Sequence, residues 1–236
     1  MIAALLMAAA MGAHEEHGAA SAPVHAGHDS FTYWMVRLEA DFGRADDADA
    51  WGWDAEAWIG TDARKFRLTT TGEAHDGHIE TAEIEALYSV PVSDFFEAKM
   101  GVRYDVEPEG RAYLTAGVIG LAPYFFETDA ALYLSEDGDL SARLTQEFDL
   151  LLTQTLVLTP EVEIEAFARD VPELGIGAGF SSVTAELTLR WEITRKFAPF
   201  VRLEYERALG ETAGIARAAG EDVETTSVRA GLRVWF

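Results

Sequence analysis

From Tyr33 to the last residue, apolar and polar side chains alternate in segment after segment. Val36, Leu38, Ala40 and Phe42 oppose Arg37, Glu39 and Asp41. Trp51, Trp53, Ala55, Ala57 and Ile59 oppose Asp54 and Glu56, and Phe66, Leu68 and Thr70 oppose Lys65, Arg67 and Thr69. The pattern continues with Ala82, Ile84, Ala86 and Tyr88 against Glu83 and Glu85, then Phe96, Ala98, Met100, Val102 and Tyr104 against Glu97, Lys99 and Arg103. Further on come Leu114, Ala116 and Val118; Phe126, Ala130, Leu132 and Leu134 against Glu127 and Asp129; and Leu140, Ala142 and Leu144 against Arg143 and Glu147. Val162, Ile164 and Ala166 oppose Glu161, Glu163 and Glu165. "RWEITRKFAPFVRLEYER" (residues 190–207) reads as two strands around the break "RKFAP", and "TSVRAGLRVWF" closes the chain. Side chains alternate across a strand, so this period of two predicts β-structure with one apolar and one charged face. About 12 segments of roughly 9 to 12 residues emerge, longer than the usual strand and matched to a tilted bilayer crossing.

In a water-soluble sandwich the charged face meets water and the apolar face a second sheet. In a membrane barrel the apolar face meets lipid and the charged face the interior. Three features favour the barrel. The number is even, as in single-chain bacterial barrels. The apolar sets mix small alanines (Ala40, Ala55, Ala57, Ala82, Ala86, Ala116) with Leu and Val, unlike a uniform large-residue core. Aromatics (Tyr33, Trp34, Trp51, Phe95, Phe96, Tyr124, Phe125, Trp235, Phe236) gather near segment ends, as interfacial girdles do. Because unpaired backbone is prohibitively costly in lipid, such a sheet must close. The expected fold is therefore all-β: a transmembrane antiparallel β-barrel of about 12 strands over residues 31–236. Both chain ends are expected on one side, with longer segments such as 168–180 and 210–224 on the other. Phe236 ends an amphipathic strand at the chain terminus and resembles the closing aromatic that targets outer-membrane barrels for insertion.

Composition narrows the partners. Eighteen basic against 41 acidic residues give a net charge of -23, which argues against nucleic acid and is compatible with cations as ligands. The apolar fraction of 49% and mean hydropathy of -0.00 are ordinary, and a barrel has no reason to raise them. With no cysteine there are neither disulfides nor thiolate metal sites. The start "MIAALLMAAAMGA" resembles the apolar part and cleavage region of a secretory signal peptide, without the usual basic n-region. Residues 14–30 hold little to bury and are expected to be disordered.

Several segments resemble the copper resistance protein B family of bacterial outer membranes: "WGWDAEAWIGTDARKFRLTTTGE", "EALYSVPVSDFFEAKMGVRYD", "GLAPYFFETDAALYLSEDG", "EFDLLLTQTLVLTPEVEIE", "GIGAGFSSVTAELTLRWEI", "RKFAPFVRLEYER" and "GETAGIARAAGED". The resemblance runs from about Phe31 to Phe236. It implies a barrel in the outer membrane of a Gram-negative bacterium, concerned with copper tolerance by binding, sequestering or exporting the ion. It also implies a periplasmic multicopper oxidase as a partner. Many relatives carry long N-terminal extensions crowded with Met and His, whereas this tail keeps only His14, His17, His25 and His28 and has no methionine between Gly12 and Thr32.

Imidazole is a good Cu(II) ligand, and "HEEH" and "HAGH" place His14 with His17, and His25 with His28, within reach of one ion. Copper is here a bound substrate ion, not a catalytic cofactor. A second candidate is the Asp-Gly turn of "EAHDGHIE", where His75 and His78 flank Asp76 and Gly77; the alternative is plain polar turn chemistry. Met35 lies on the inward parity and is a candidate soft ligand. The inward acids (Asp54, Glu56, Glu83, Glu85, Glu97, Glu127, Asp129, Glu163, Glu165, Glu186, Glu192, Glu204 and Glu206) outnumber the inward bases Arg67, Arg103, Arg143, Arg190, Arg202, Arg229 and Arg233, so the lumen should attract cations. Those charges could equally form a sealed, salt-bridged plug. Catalysis is not expected: no Gly-x-Ser-x-Gly elbow appears, and none of the six histidines lies beyond residue 78. The alternative to a copper-handling barrel is a structural or docking barrel for the oxidase, without ion passage.

Overall fold

The computed structural model describes residues 31–46 and 48–236. The export-like segment and the tail histidines His14, His17, His25 and His28 lie outside the described residues. Twelve strands make the fold: β1 (Tyr33–Ala45), β2 (Ala48–Thr61), β3 (Arg64–His75), β4 (His78–Pro91), β5 (Phe96–Glu107), β6 (Arg111–Ala122), β7 (Phe126–Ser135), β8 (Leu140–Glu147, resuming at Leu150–Leu151), β9 (Leu156–Phe167), β10 (Gly179–Trp191), β11 (Phe197–Ala208) and β12 (Glu224–Trp235). Each pairs antiparallel with its neighbours in sequence, and β12 returns to β1, from Arg37↔Trp235 to Ala45↔Ser227. The seam is finished by Phe236, whose N–H donates to Val36 O (2.9 Å) and whose carbonyl accepts from Val36 N (3.2 Å). The sheet is thus a closed barrel without an open edge, the form in which strands can span a bilayer.

The alternation fixes the faces. Glu39 and Asp41 are buried while Ala40 between them and Leu38 and Phe42 on either side are exposed, and Arg103 and Asp105 are buried between exposed Val102, Tyr104 and Val106. Met100, Leu114, Leu132, Val201, Leu203, Val228 and Leu232 belong to the same outward apolar belt. An exposed apolar surface of this extent suits lipid and not water. Trp34, Phe95, Tyr124, Phe125, Trp191 and Phe236 ring the end that carries both chain termini, and Phe42, Trp51, Tyr104 and Phe180 ring the other. Trp235 departs from the expected girdle: it falls on the inward parity and lines a cavity beside Met35.

Turns at the terminal end are short. At the far end four are equally short, and two are long. Residues 168–178 contain a 3-10 turn (Pro172–Leu174), and residues 209–223 contain a helix, α1 (Gly210–Ala219), that the alternation did not reveal. The helix is held by tertiary contact: Ala213 is buried, and Gly177 N donates to Thr212 Oγ1 at 3.0 Å. Asp139, in the β7–β8 turn, fastens the other long loop by accepting from Arg169 Nε, from Arg111 Nη1 (3.1 Å) and from Ser135 Oγ (3.2 Å). Burial alone would raise its carboxyl, but the hydrogen bond and charge of Arg169, then Ser135 and Arg111, outweigh that and hold it below the ordinary carboxylate range.

Two boundaries differ from expectation. The alternation over Arg190–Thr194 covers the last two residues of β10 and the start of a turn, not a strand of its own; β10 lies mostly earlier, and Phe197, Ala198 and Pro199 of the supposed break already belong to β11. Parity carried through the turn by chance, so the sequence misplaced the strand by several residues. β8 is interrupted at Phe148 and Asp149 opposite Pro160 of β9, which has no N–H to offer the ladder there.

Candidate functional site

The lumen is built from what the inward parity supplies, and nearly every strand supplies charge. Two networks fill it. In the half formed by β10–β12 and β1–β3, Arg229 is 2% exposed and reaches Glu73 and Glu204 (both 2.6 Å) and Asp41 (3.5 Å). Arg202 meets Asp41 (2.8 Å), Glu186 (3.0 Å) and Glu39 (3.3 Å); Arg233 meets Glu39 (2.6 Å); Arg37 meets Asp54 (3.3 Å) and Glu56 (3.6 Å). In the other half, Arg143 of β8 donates from Nη1 and Nη2 to both oxygens of Glu83 on β4, each at 3.0 Å, and from Nε to Glu165 of β9 at 2.7 Å. Arg103 of β5 donates to the same Glu83 and to Asp105, both at 2.6 Å, and its guanidinium lies 5.1 and 4.9 Å from the Tyr113 and Tyr133 rings. Lys65 and Arg67 share Glu97, Arg67 also pairs with Glu56, and Lys99 pairs with Asp129 at 2.6 Å. Carboxylates and guanidiniums survive at this depth because each finds partners of opposite charge.

The inward acids are therefore mostly committed. Asp54, Glu56, Glu83, Glu97 and Asp129 all sit in ion pairs. Glu127 is on the inward parity but exposed near the terminal mouth, and Glu85 has a buried oxygen without a hydrogen-bond partner. Glu97 does not stand with Glu83 and Glu85 on one patch. It opposes Pro91, six residues beyond Glu85 along β4, or about 20 Å at the rise of a strand. Register also reveals a row that parity alone could not: Glu127↔Glu147, Glu147↔Glu161, Glu161↔Glu186 and Glu186↔Glu204 are directly opposed across β7 to β11. Directly facing like charges destabilise a sheet. Arg202 and Arg229 relieve Glu186 and Glu204.

At the far mouth, His75 and His78 are directly opposed across the β3–β4 hairpin, which places both imidazoles on the same side of the sheet. Asp76 (φ 48) and Gly77 (φ 82) turn the chain with two positive φ angles, as the tight hairpin requires. Asp76 Oδ1 accepts from Asp49 N at 3.1 Å, so its carboxylate is engaged in the neighbouring turn. A bulge follows: Ala74 opposes Ile79 and Glu73 opposes Thr81, leaving Glu80 as the extra residue. Bulges re-aim side chains, and Glu80 Oε2 stands 2.8 Å from His75 Nδ1. Glu80 was not visible as a candidate, because the strict alternation gave no sign of the bulge.

The terminal mouth is different. Met35 does face inward, in a cavity of about 270 Å³ lined also by Arg37, Arg190, Arg195, Arg233 and Trp235. Glu192 lines this cavity too, and Arg37, Arg190 and Arg233 are each paired with carboxylates, so Met35 faces a mixed-charge pocket in which guanidiniums predominate. A second cavity of about 280 Å³ lies between Asp62, Arg67, Pro91, Phe95 and Glu97 at the same end. Among the described residues, no three His, Asp or Glu side chains form a ready metal cage.

A closed twelve-stranded antiparallel barrel with a charged interior and an apolar belt defines the class of outer-membrane β-barrels. The solved NanC porin shares this fold, with a TM-score of 0.59 at 10% identity, over 84% of this chain and 98% of that one. Residues 31–236 match the family described as "Copper resistance protein B precursor (CopB)". Copper resistance protein B of Escherichia coli is 34% identical over 214 residues, covering 90% of this chain and 72% of that protein. The Copper resistance protein B homolog of Pseudomonas syringae pv. tomato is 35% identical over the same length, covering 90% and 73%. The chain belongs to the copper resistance protein B family, and its role lies in copper resistance.

Proposed function

We propose that this barrel resides in the outer membrane of a Gram-negative bacterium, with both chain ends periplasmic, and binds copper ions to help export or sequester them. The observation that carries the reading is the far mouth: two opposed imidazoles with the Glu80 carboxylate beside His75, at the entrance to an acid-rich lumen. Imidazole and carboxylate together suit Cu(II), which heads the affinity order of divalent ions for such ligands. Carboxylates alone would take cations without preference, so the histidines supply the selectivity. In calorimetry, the barrel should bind Cu(II), and the double change His75→Ala with His78→Ala should weaken that binding at least tenfold. Unchanged affinity would refute this site.

A second reading, a docking barrel for a periplasmic multicopper oxidase, is favoured by the Arg143–Glu83 pair that bridges the lumen and by the ion pairs that fill it along the wall. Liposomes holding the unmutated protein, compared for copper and potassium, separate the two. Copper movement supports export; movement of neither ion leaves sequestration or docking.

A further inference from the structure

In a barrel of eight strands side chains fill the interior, and in one of 16 to 18 an aqueous channel remains. Twelve strands lie between, so whether this lumen conducts depends on how far its longest side chains reach. Most of its ion pairs join strands that are neighbours or nearly so. Arg143 and Glu83 do not: they stand on β8 and β4, with β5, β6 and β7 between them around the wall. The pair is bidentate and is held at both ends. Arg143 is anchored by Glu165 at 2.7 Å and stacked 5.6 Å from the Tyr133 ring, while Glu83 is gripped from its own side by Arg103 at 2.6 Å. Arg103 in turn is fixed by two hydrogen bonds to Asp105, at 2.6 and 2.9 Å, and by Tyr113 and Tyr133. Arg143 is the fourth residue of β8 and Glu83 the sixth of β4, so the bridge crosses the lumen below the far rim.

We propose that the Arg143–Glu83 pair, braced by Arg103, Glu165 and Tyr133, is a strut that shuts this half of the lumen and must part before ions or solutes can pass. Its chemistry suits a latch. A bidentate guanidinium–carboxylate bridge is strong and directional, yet it can swing open by side-chain rotation alone, leaving the sheet hydrogen bonds intact. Glu163, 3.6 Å from Arg143 Nε, offers the released guanidinium an alternative partner on the β9 wall.

The test is conductance in planar bilayers in potassium chloride, which needs no copper and stands whether or not the copper reading holds. The unmutated barrel should be nearly silent. Glu83→Gln and Arg143→Gln should each raise single-channel conductance at least fivefold, while Arg111→Gln, which loosens a rim pair with Asp139, should leave it unchanged. Arg143→Lys keeps the charge but loses the bidentate grip, and should open the barrel to an intermediate degree; it also serves if a neutral variant fails to insert. Insertion is checked by heat-modifiable gel mobility. A conducting parent whose conductance the strut variants do not alter overturns the proposal. So do inserted variants that remain as silent as the parent.

Discussion

The outward face of β5 offers a test of where lipid lies. Met100 is the fifth of twelve residues in that strand, 64% exposed, and flanked on its face by Ala98 and Val102. In a water-soluble sheet, replacing so exposed a side chain would change stability by no more than about 0.5 kcal/mol. In a bilayer, the same position lies near mid-depth, where an arginine on the lipid face of a barrel costs about 2 to 4 kcal/mol. That is roughly a 30- to 900-fold change in the folding equilibrium. Met100→Arg should therefore lower the folding free energy into lipid vesicles by that amount, read from reversible denaturant titration with tryptophan fluorescence. Glu109→Arg, in the β5–β6 turn beyond the far end of the strand, should change it by about 0.5 kcal/mol or less. Equal, small effects at both positions would refute the assignment of this face to lipid, and with it the reading of the inward charges as a lumen.

Arg229→Met should destabilise the barrel by about 3 to 5 kcal/mol, because Glu73, Glu204 and Asp41 would lose the buried cation they share; a change under about 1 kcal/mol in the same titration would contradict the network. The Asp139 clamp has a definite pH sign. Its carboxyl is held below its ordinary value in the folded state, so the clamp's contribution is complete above about pH 4 and falls away as acid protonates the folded carboxyl. Protease sensitivity of residues 168–178 should rise below that pH, and Asp139→Asn should remove the dependence by loosening the loop at neutral pH as well. Deleting residues 14–30 should leave the barrel's unfolding midpoint in place and reduce the copper bound per chain, measured by calorimetry; unchanged stoichiometry and affinity would make the tail a spacer only.

The sequence by itself determined the barrel and the solvent on each face. A period of two is a local property: once a segment is extended, adjacent side chains must point to opposite sides, so Leu38 and Glu39 were separated before any neighbour was known. The Asp76-Gly77 turn was equally legible, since positive φ at two successive residues restricts the choice of residue there. Pairing was not. Which glutamate faces which, the row from Glu127 to Glu204, and the wide separation of Glu97 from Glu83 depend on register, and register is set by every turn and bulge together. Glu80 reaches His75 only because one extra residue sits in β4, a local irregularity that alternation averages away. The Arg143–Glu83 bridge lies furthest from the sequence. It joins residues 60 apart in the chain, and it exists because closing twelve strands into a ring brings two walls within the reach of one arginine and one glutamate.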